Sequence, residues 1–325
     1  MASLPDVCRR LDEHQFQYHV IELGGAHRII VTRYGGRIFG PFSSDGESYC
    51  WINPVLSDKR EFDRFLSNRE WNLGGDRIWL APELQFNVPD HTDFWGSYKV
   101  PEALDPGHYV LHRDQYGNSV LSQTADLDVF GGAGTSKSLS IERTIRPAAN
   151  PLNEMDAIFC GYHHDICLKE QKKDGVVCEA WDLLQILPEG TIYIPTTQKI
   201  EPIEYYEPFR KGYQKILPNH IELKIDAKCR YKAGYKAVHT TGRSGYLSRL
   251  GGISYLLVRC FYSDPSAPYT KAPVDRPEHS GSALHIYNDD GSIGSFAEHE
   301  CSGRPIGGDT GRSESSDTIS TYYFI

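Results

Sequence analysis

The sequence predicts an all-β fold: large antiparallel sheets packed as a sandwich, with one or few short helices. Three observations carry this. Apolar and polar residues alternate with a period of two through many segments, turn signals separate those segments at short intervals, and helical periodicity is nearly absent. In "SKSLSIERTIRP", Leu139, Ile141 and Ile145 fall on one face and Ser140, Glu142, Thr144 and Arg146 on the other, the pattern of a half-buried strand. The same signal runs through "FQYHVIEL", "HRIIVTR", "AIFCGYHHDICL", "VVCEAWDLLQIL", "TIYIPT", "IELKID", "SYLLVRCFY", "ALHIYND", "GSFAEHEC" and "TISTYYFI". Between them "YGGR", "SSDGES", "DQYGN", "KKDG", "LPEG" and "NDDG" supply the Gly, Asn and Asp that tight turns require. One segment, "SDKREFDRFLS", has helical spacing, with Ser57 placed to cap its first turn. Strands this numerous, with so few helices between them, favour antiparallel sheets. No repeat, charge block or low-complexity linker divides the chain, so residues 1–325 read as one domain.

Composition narrows the function classes. The net charge of -9 repels phosphate backbones and argues against a nucleic-acid partner. Apolar runs such as "ISYLLV" are too short to span a bilayer, so no membrane partner is expected. The eight cysteines form no C-x-x-C pair, which excludes a zinc ribbon or thioredoxin-type motif and predicts free, mostly buried thiols. "MASLPDVCRRLDEHQF" has no apolar signal-peptide core and the chain has no N-x-S/T sequon, so the cytoplasm is the expected location. "GGAGTSKS" at 131–138 approximates a phosphate-binding loop, but Ser136 replaces the second required Gly and a strand pattern follows where a helix is needed. It reads as a Gly/Ser hairpin loop. No nucleotide, haem or transition metal is expected as cofactor. A calcium ion on the carboxylates of "PDHTDF" stays open, because oxygen ligands leave little trace in sequence. Assembly into a homo-oligomer is equally open.

The residues that point to chemistry begin at "NLGGDRIWLAPE" (72–83), followed closely by "HTDFWGSY" (91–98). Flat aromatic faces beside fixed carboxylates and a guanidinium suit a polyhydroxylated ligand such as a sugar or oligosaccharide. Asp76, Trp79, Glu83, His91, Trp95 and Tyr98 are therefore expected to hold substrate in a loop-rich segment, with Arg77 beside them. In "FCGYHHDICL", parity places His163 with Asp165 on one face and His164 with the core-facing Ile166 and Leu168 on the other. His163 is the candidate general acid or base, provided its face lines a pocket. In "GSFAEHECSG", Glu298 and Glu300 leave one face of a strand with Cα atoms about 6.7 Å apart, close enough to raise the pKa of one. Trp181 shares a strand face with Glu179, Leu183 and Gln185. "YYEPFRKGYQ" (205–214) adds amphipathic surface, with Arg210 as a further cation. Each has a plainer alternative: hydrogen-bonded histidines, an edge-strand charge pair, core tryptophans.

"GGDRIWLAPE" at 74–83, "EAWDLLQILPEGTIYIP" at 179–195 and "FAEHECSGRP" at 296–305 resemble, in order and approximate spacing, the galactose-mutarotase-like (aldose 1-epimerase-like) superfamily in one of its poorly characterised branches. The resemblance implies a β-supersandwich with a sugar site on the concave face of the larger sheet. It also implies an early Arg, a central His as general acid and a C-terminal Glu as general base. By position these are Arg77, His163 (or His164) and Glu298 or Glu300. Two motifs depart from the family: "GYHHDI" stands where its central Asn-His pattern belongs, and "GGDRIW" replaces its Arg-containing dipeptide. The expected activity is therefore epimerase-like proton transfer on a sugar ring. A lyase or hydrolase acting on a uronic-acid glycoside, and a non-catalytic sugar binder, are the alternatives on the same fold.

Overall fold

The computed structural model describes residues 2–131, 135–152 and 154–325; the Gly/Ser loop expected at 131–138 lies partly outside these, at 132–134. Two antiparallel sheets face each other across the core. The first has nine strands, in spatial order Tyr18–Glu22, Arg28–Thr32, Arg37–Phe42, Asp76–Ala81, Glu179–Ile186, Ala297–Ser302, Ser282–Asn288, Tyr231–Lys236 and Ile203–Glu204. The second has ten: Gln214–Ile216, His220–Ile225, Gly190–Pro195, Arg243–Leu250, Ile253–Phe261, Glu314–Phe324, Phe159–Glu170, Ser136–Pro147, Ser119–Asp128 and Val110–Arg113. Alternation set the faces as expected where one side is wet. In Phe159–Glu170, Cys160, Tyr162, His164, Ile166 and Leu168 are buried against the nine-stranded sheet, while His163 and Asp165 point outward.

The stretch expected to be loop-rich is instead a central strand. Asp76–Ala81 is buried at all six positions and pairs with Glu179–Ile186, itself buried throughout. A strand covered on both faces loses the polar-out half of its pattern. The preceding Gly-Gly has a steric cause. Gly74 and Gly75 adopt φ of 88° and 76°, and a Cβ on either would stand 2.5 Å from the carbonyl oxygen of Trp51 or Ile38. The helix Lys59–Ser67 forms as expected, but Asp58 rather than Ser57 caps it, accepting the Glu61 N–H at 3.0 Å. A further helix, Leu4–Glu13, is closed by a Ser3/Asp6 capping box and packs Val7 and Leu11 inward. All eight cysteines are free thiols. Asp90 and Asp93 of "PDHTDF" spend carboxylate oxygens on the N–H groups of Thr92 and Gly96, so they act as turn caps.

Between the sheets lies a junction of buried charge. Arg259 bonds Asp182 and stands 3.5 Å from Asp76, which also accepts the Tyr162 hydroxyl at 2.9 Å. Arg143 Nε donates to His164 Nε2 at 2.8 Å, which leaves the imidazole proton on Nδ1, 3.1 Å from Asp182 Oδ2. Burial, reinforced by Arg143, pushes His164 down to about 3, so it is neutral. Burial and the neighbouring Asp182, opposed by Arg259, raise Asp76 to about 6. Asp76, His164 and Asp182 offer ligand atoms within 4.8 Å of one another, but the two guanidiniums take the positions a cation would need. Replacing Asp182 by Ala leaves Arg259 without its nearest counter-charge and is expected to cost about 3–5 kcal/mol. Urea unfolding measures this, and an unchanged midpoint would show that the junction carries no stability.

Candidate active site

Register brings the polar groups of the nine-stranded sheet together on the face turned away from the core. Residues opposite one another in antiparallel strands share a face. Lys232, Tyr287, Glu298 and Gln185 form one row across four strands. The next row is Gly234, His285, Glu300, Leu183 and Arg77. Trp181 and Trp79 pair directly in the third. Gly234 lets Tyr205 close over its row, because a Cβ there would come within 2.8 Å of the Tyr205 ring.

Over these rows opens a cavity of about 250 Å³, floored by Arg77, Trp79, Trp181, Lys232 and Glu298. Trp71, Trp95, Tyr98, Tyr206 and Tyr287 form its aromatic wall, and Glu83 stands at one side. The expected site on the larger sheet is corrected here, since this cup lies on the smaller, nine-stranded one. The floor tryptophans cross edge-to-face at 5.7 Å. Their indole N–H groups are anchored beneath: Trp181 on Glu300 at 2.7 Å, Trp79 on Asp105 at 3.2 Å. The Arg77 guanidinium lies 4.2 Å over the Trp79 ring.

The two glutamates of "FAEHECSG" have opposite environments. Glu300 is wholly buried, bonded by Lys271 at 2.8 Å and approached by Lys232 at 3.4 Å. Burial alone would raise its carboxyl, but the two ammonium groups hold it well below the ordinary range, so it is a fixed anion. Lys271, lying 3.5 Å over the Trp181 ring, is itself lowered to about 8 by burial despite Glu300. Glu298 reaches the cavity. Arg77 and Gln185 both donate to its Oε1, at 2.9 and 3.0 Å, and among the described residues no donor reaches Oε2. Burial raises its carboxyl, with Arg77 opposing and the Glu300 charge adding to the rise. One oxygen is positioned and the other is open to a ligand.

The structure thus brings together Arg77, Trp79, Glu83, Trp95, Tyr98, Trp181 and Glu298, with Glu300 directly beneath. It separates the others. His163 lies on the outer face of the ten-stranded sheet, where its Nδ1 meets Ser320 Oγ at 2.8 Å, so the face it shares with Asp165 lines no part of this cavity. His164 and Asp76 point into the inter-sheet core. His91 borders an adjoining cavity, its Nε2 3.1 Å from the Leu84 carbonyl. Arg210 is exposed in a turn, outside both cavities. Sequence reasoning missed Lys232 and Lys271, which reach the site from "YKAGYK" and from the segment between two strands. Only cross-strand pairing could have found the first, and nothing local marks the second.

Comparison with known proteins bears on the fold. Residues 9–155 match a model described as a family of unknown function (DUF6786), a span that includes Arg77 and Trp79 but neither glutamate. A search of curated proteins finds no match to the sequence. Two solved structures share the fold over almost their whole length. One, provisionally assigned as an aldose 1-epimerase from Escherichia coli K12, is 9% identical with a TM-score of 0.55, covering 95% of this chain and 99% of its own. The other, a galactose mutarotase-like protein from Lactobacillus casei ATCC 334, is 9% identical with a TM-score of 0.54, covering 94% and 100%. The chain has the galactose-mutarotase-like fold. At that identity the likeness carries the fold, and the chemistry rests on the site.

Behind Trp181, Glu179 is fully buried and accepts the Thr270 N–H at 3.0 Å. Burial pushes it up to about 8 from an ordinary 4.5, so the folded protein holds it neutral at pH 7 while the unfolded chain ionises it. Folding takes up a proton in that window, and stability falls as pH rises from about 4.5 to about 8. Glu179→Gln is expected to remove that fall and to stabilise at pH 8 by about 1–4 kcal/mol. Urea midpoints at pH 5 and pH 8 check it; an identical pH slope in the variant would exclude it.

Proposed function

We propose that this galactose-mutarotase-like chain is a carbohydrate-active enzyme that moves protons on a sugar ring, in the manner of an aldose 1-epimerase, with Glu298 as its base. The observation that carries the proposal is an open carboxylate oxygen, Glu298 Oε2, at the floor of an aromatic cup. A pyranose sits above the buried Trp79–Trp181 pair, with its apolar face against the rim residues Trp95 and Tyr206. Glu298 Oε2 takes the proton of the anomeric hydroxyl, the bond between C1 and the ring oxygen breaks, and an aldehyde forms. The alkoxide left at the ring oxygen is stabilised by the Lys232 ammonium; after rotation about C1–C2 it attacks the other face of the aldehyde, and the oxyanion that forms at the anomeric oxygen takes the proton back from Glu298.

This reading replaces the expected histidine. No imidazole borders the cup among the described residues, so cationic stabilisation stands where an imidazolium was anticipated. Hydrolysis by the Glu298–Glu300 pair has less support, since Glu300 is wholly buried and held by two lysines. Elimination from a uronate also has less support, because the Arg77 charge is already paired with Glu298 through Nη2 and Arg210 lies elsewhere.

Glu298→Gln is expected to lose about 10²–10⁴-fold in anomer interconversion, followed by exchange NMR on a panel of aldoses. A wild type that binds aldoses without interconverting them would reduce the site to sugar binding, and unsaturated product absorbance would reassign it as a lyase. Because Glu298 acts ionised and its carboxyl is raised, the acid limb of kcat/KM should lie above the ordinary glutamate value of 4.5. Activity that stays flat down to pH 4 would contradict this. Trp95, 53% exposed at the rim, bears little on folding. Trp95→Ala should raise KM roughly two- to tenfold, the worth of one aromatic contact, with kcat nearly kept.

A further inference from the structure

We infer that the site takes a reducing disaccharide or longer neutral oligosaccharide, with its reducing-end ring in the aromatic cup and the next ring in an adjoining cavity. The inference rests on the reading of the cup as a sugar site. A second cavity of about 230 Å³ adjoins the cup, and the two share Glu83 and Tyr206 as their common wall. Neither cavity alone reaches the roughly 300–1,000 Å³ of small-molecule sites, whereas the two together do.

The second cavity is built like a sugar subsite. Phe94, Phe130 and Val274 offer apolar faces, and Gln85, His91 and Thr270 offer polar edges. Continuity is maintained through Tyr206, which packs on Trp95 at 5.2 Å and on Phe94 at 6.2 Å, so the aromatic wall of the cup runs on into the neighbouring cavity. At the junction Glu83 is held by Lys232 at 3.1 Å, which fixes a carboxylate where hydroxyls flanking a glycosidic linkage would pass.

Charge selects a neutral second ring. The charged groups lining the second cavity are Glu83, paired with Lys232, and Lys271, whose ammonium is turned to Glu300 at 2.8 Å. An acidic sugar there would meet the Glu83 carboxylate and no uncommitted lysine or arginine among the described residues. Since the proposed chemistry requires a free anomeric centre in the cup, the second ring must be joined to a hydroxyl of the reducing-end ring other than the anomeric one. Such a substrate is what a glycan-hydrolysing enzyme releases.

The test compares glucose and galactose with cellobiose, maltose and lactose, measuring affinity by calorimetry and anomer exchange by NMR. The wild type and Val274→Trp are assayed together; Val274 is 44% exposed, so the larger side chain blocks the cavity with little threat to folding. At least one disaccharide is expected to exceed its reducing-end monosaccharide tenfold or more in affinity or kcat/KM, and Val274→Trp to abolish that ratio. Disaccharide preference in binding without exchange would uphold the subsite and refute the epimerase reading. Equal handling of monosaccharides and disaccharides, or a ratio that Val274→Trp leaves unmoved, would overturn the subsite while the epimerase reading stands. Failure of every sugar to bind would overturn both.

Discussion

Parity on three central strands is the constraint on which the rest depends. In each, a charged or polar residue that points into the core stands next to one that points into the cup: Asp76 beside Arg77, Asp182 beside Trp181, His299 between Glu298 and Glu300. The inward set is fixed by Arg259, which bonds Asp182 and the His299 carbonyl and lies beside Asp76. A slip of one residue in any of these strands would exchange the two sets. It would put Arg77 or a glutamate against apolar neighbours and strand Arg259, each an uncompensated buried charge. The junction between the sheets therefore orients a site it never touches.

The same residues explain how far the sequence could be read. Alternation located strands with one wet face, and it placed His164 inward and His163 outward correctly. It failed at Asp76–Ala81, where burial on both faces erases the pattern and the Gly-Gly and Pro at its ends suggest a loop. Parity also could not say which sheet a strand joins. Phe159–Glu170 entered the ten-stranded sheet and carried His163 away from glutamates that belong to the nine-stranded one. Glu298 was legible as a carboxylate with a close like-charged neighbour. Which of the two glutamates is held as a fixed anion was not, because that depends on Lys232 and Lys271, brought in by long-range pairing and by a loop.

The lysines make two like charges tolerable at close range. Glu300 would otherwise compete with Glu298 for a proton, leaving a shared titration with neither carboxylate assigned to the task. Two ammonium groups and the Trp181 N–H fix Glu300 as an anion, so the remaining freedom to titrate falls on Glu298. Glu300 then serves the site electrostatically, as a constant negative charge that makes its neighbour more basic.

That division also bears on the cations. Lys271 is tied to Glu300 and covered by Trp181, whereas Lys232 is shared between Glu300 and Glu83 and lines the cup. A lysine balanced between two carboxylates keeps its proton, which makes it a poor proton donor and a durable positive charge. A reaction that develops negative charge on a ring oxygen needs that charge met without a proton being lost to solvent, and a permanently charged group in a partly dry cup does this. The resemblance implies a histidine for this step. In the proposed reading, stabilisation falls to Lys232 and proton transfer to Glu298, two separate groups whose protonation states do not compete.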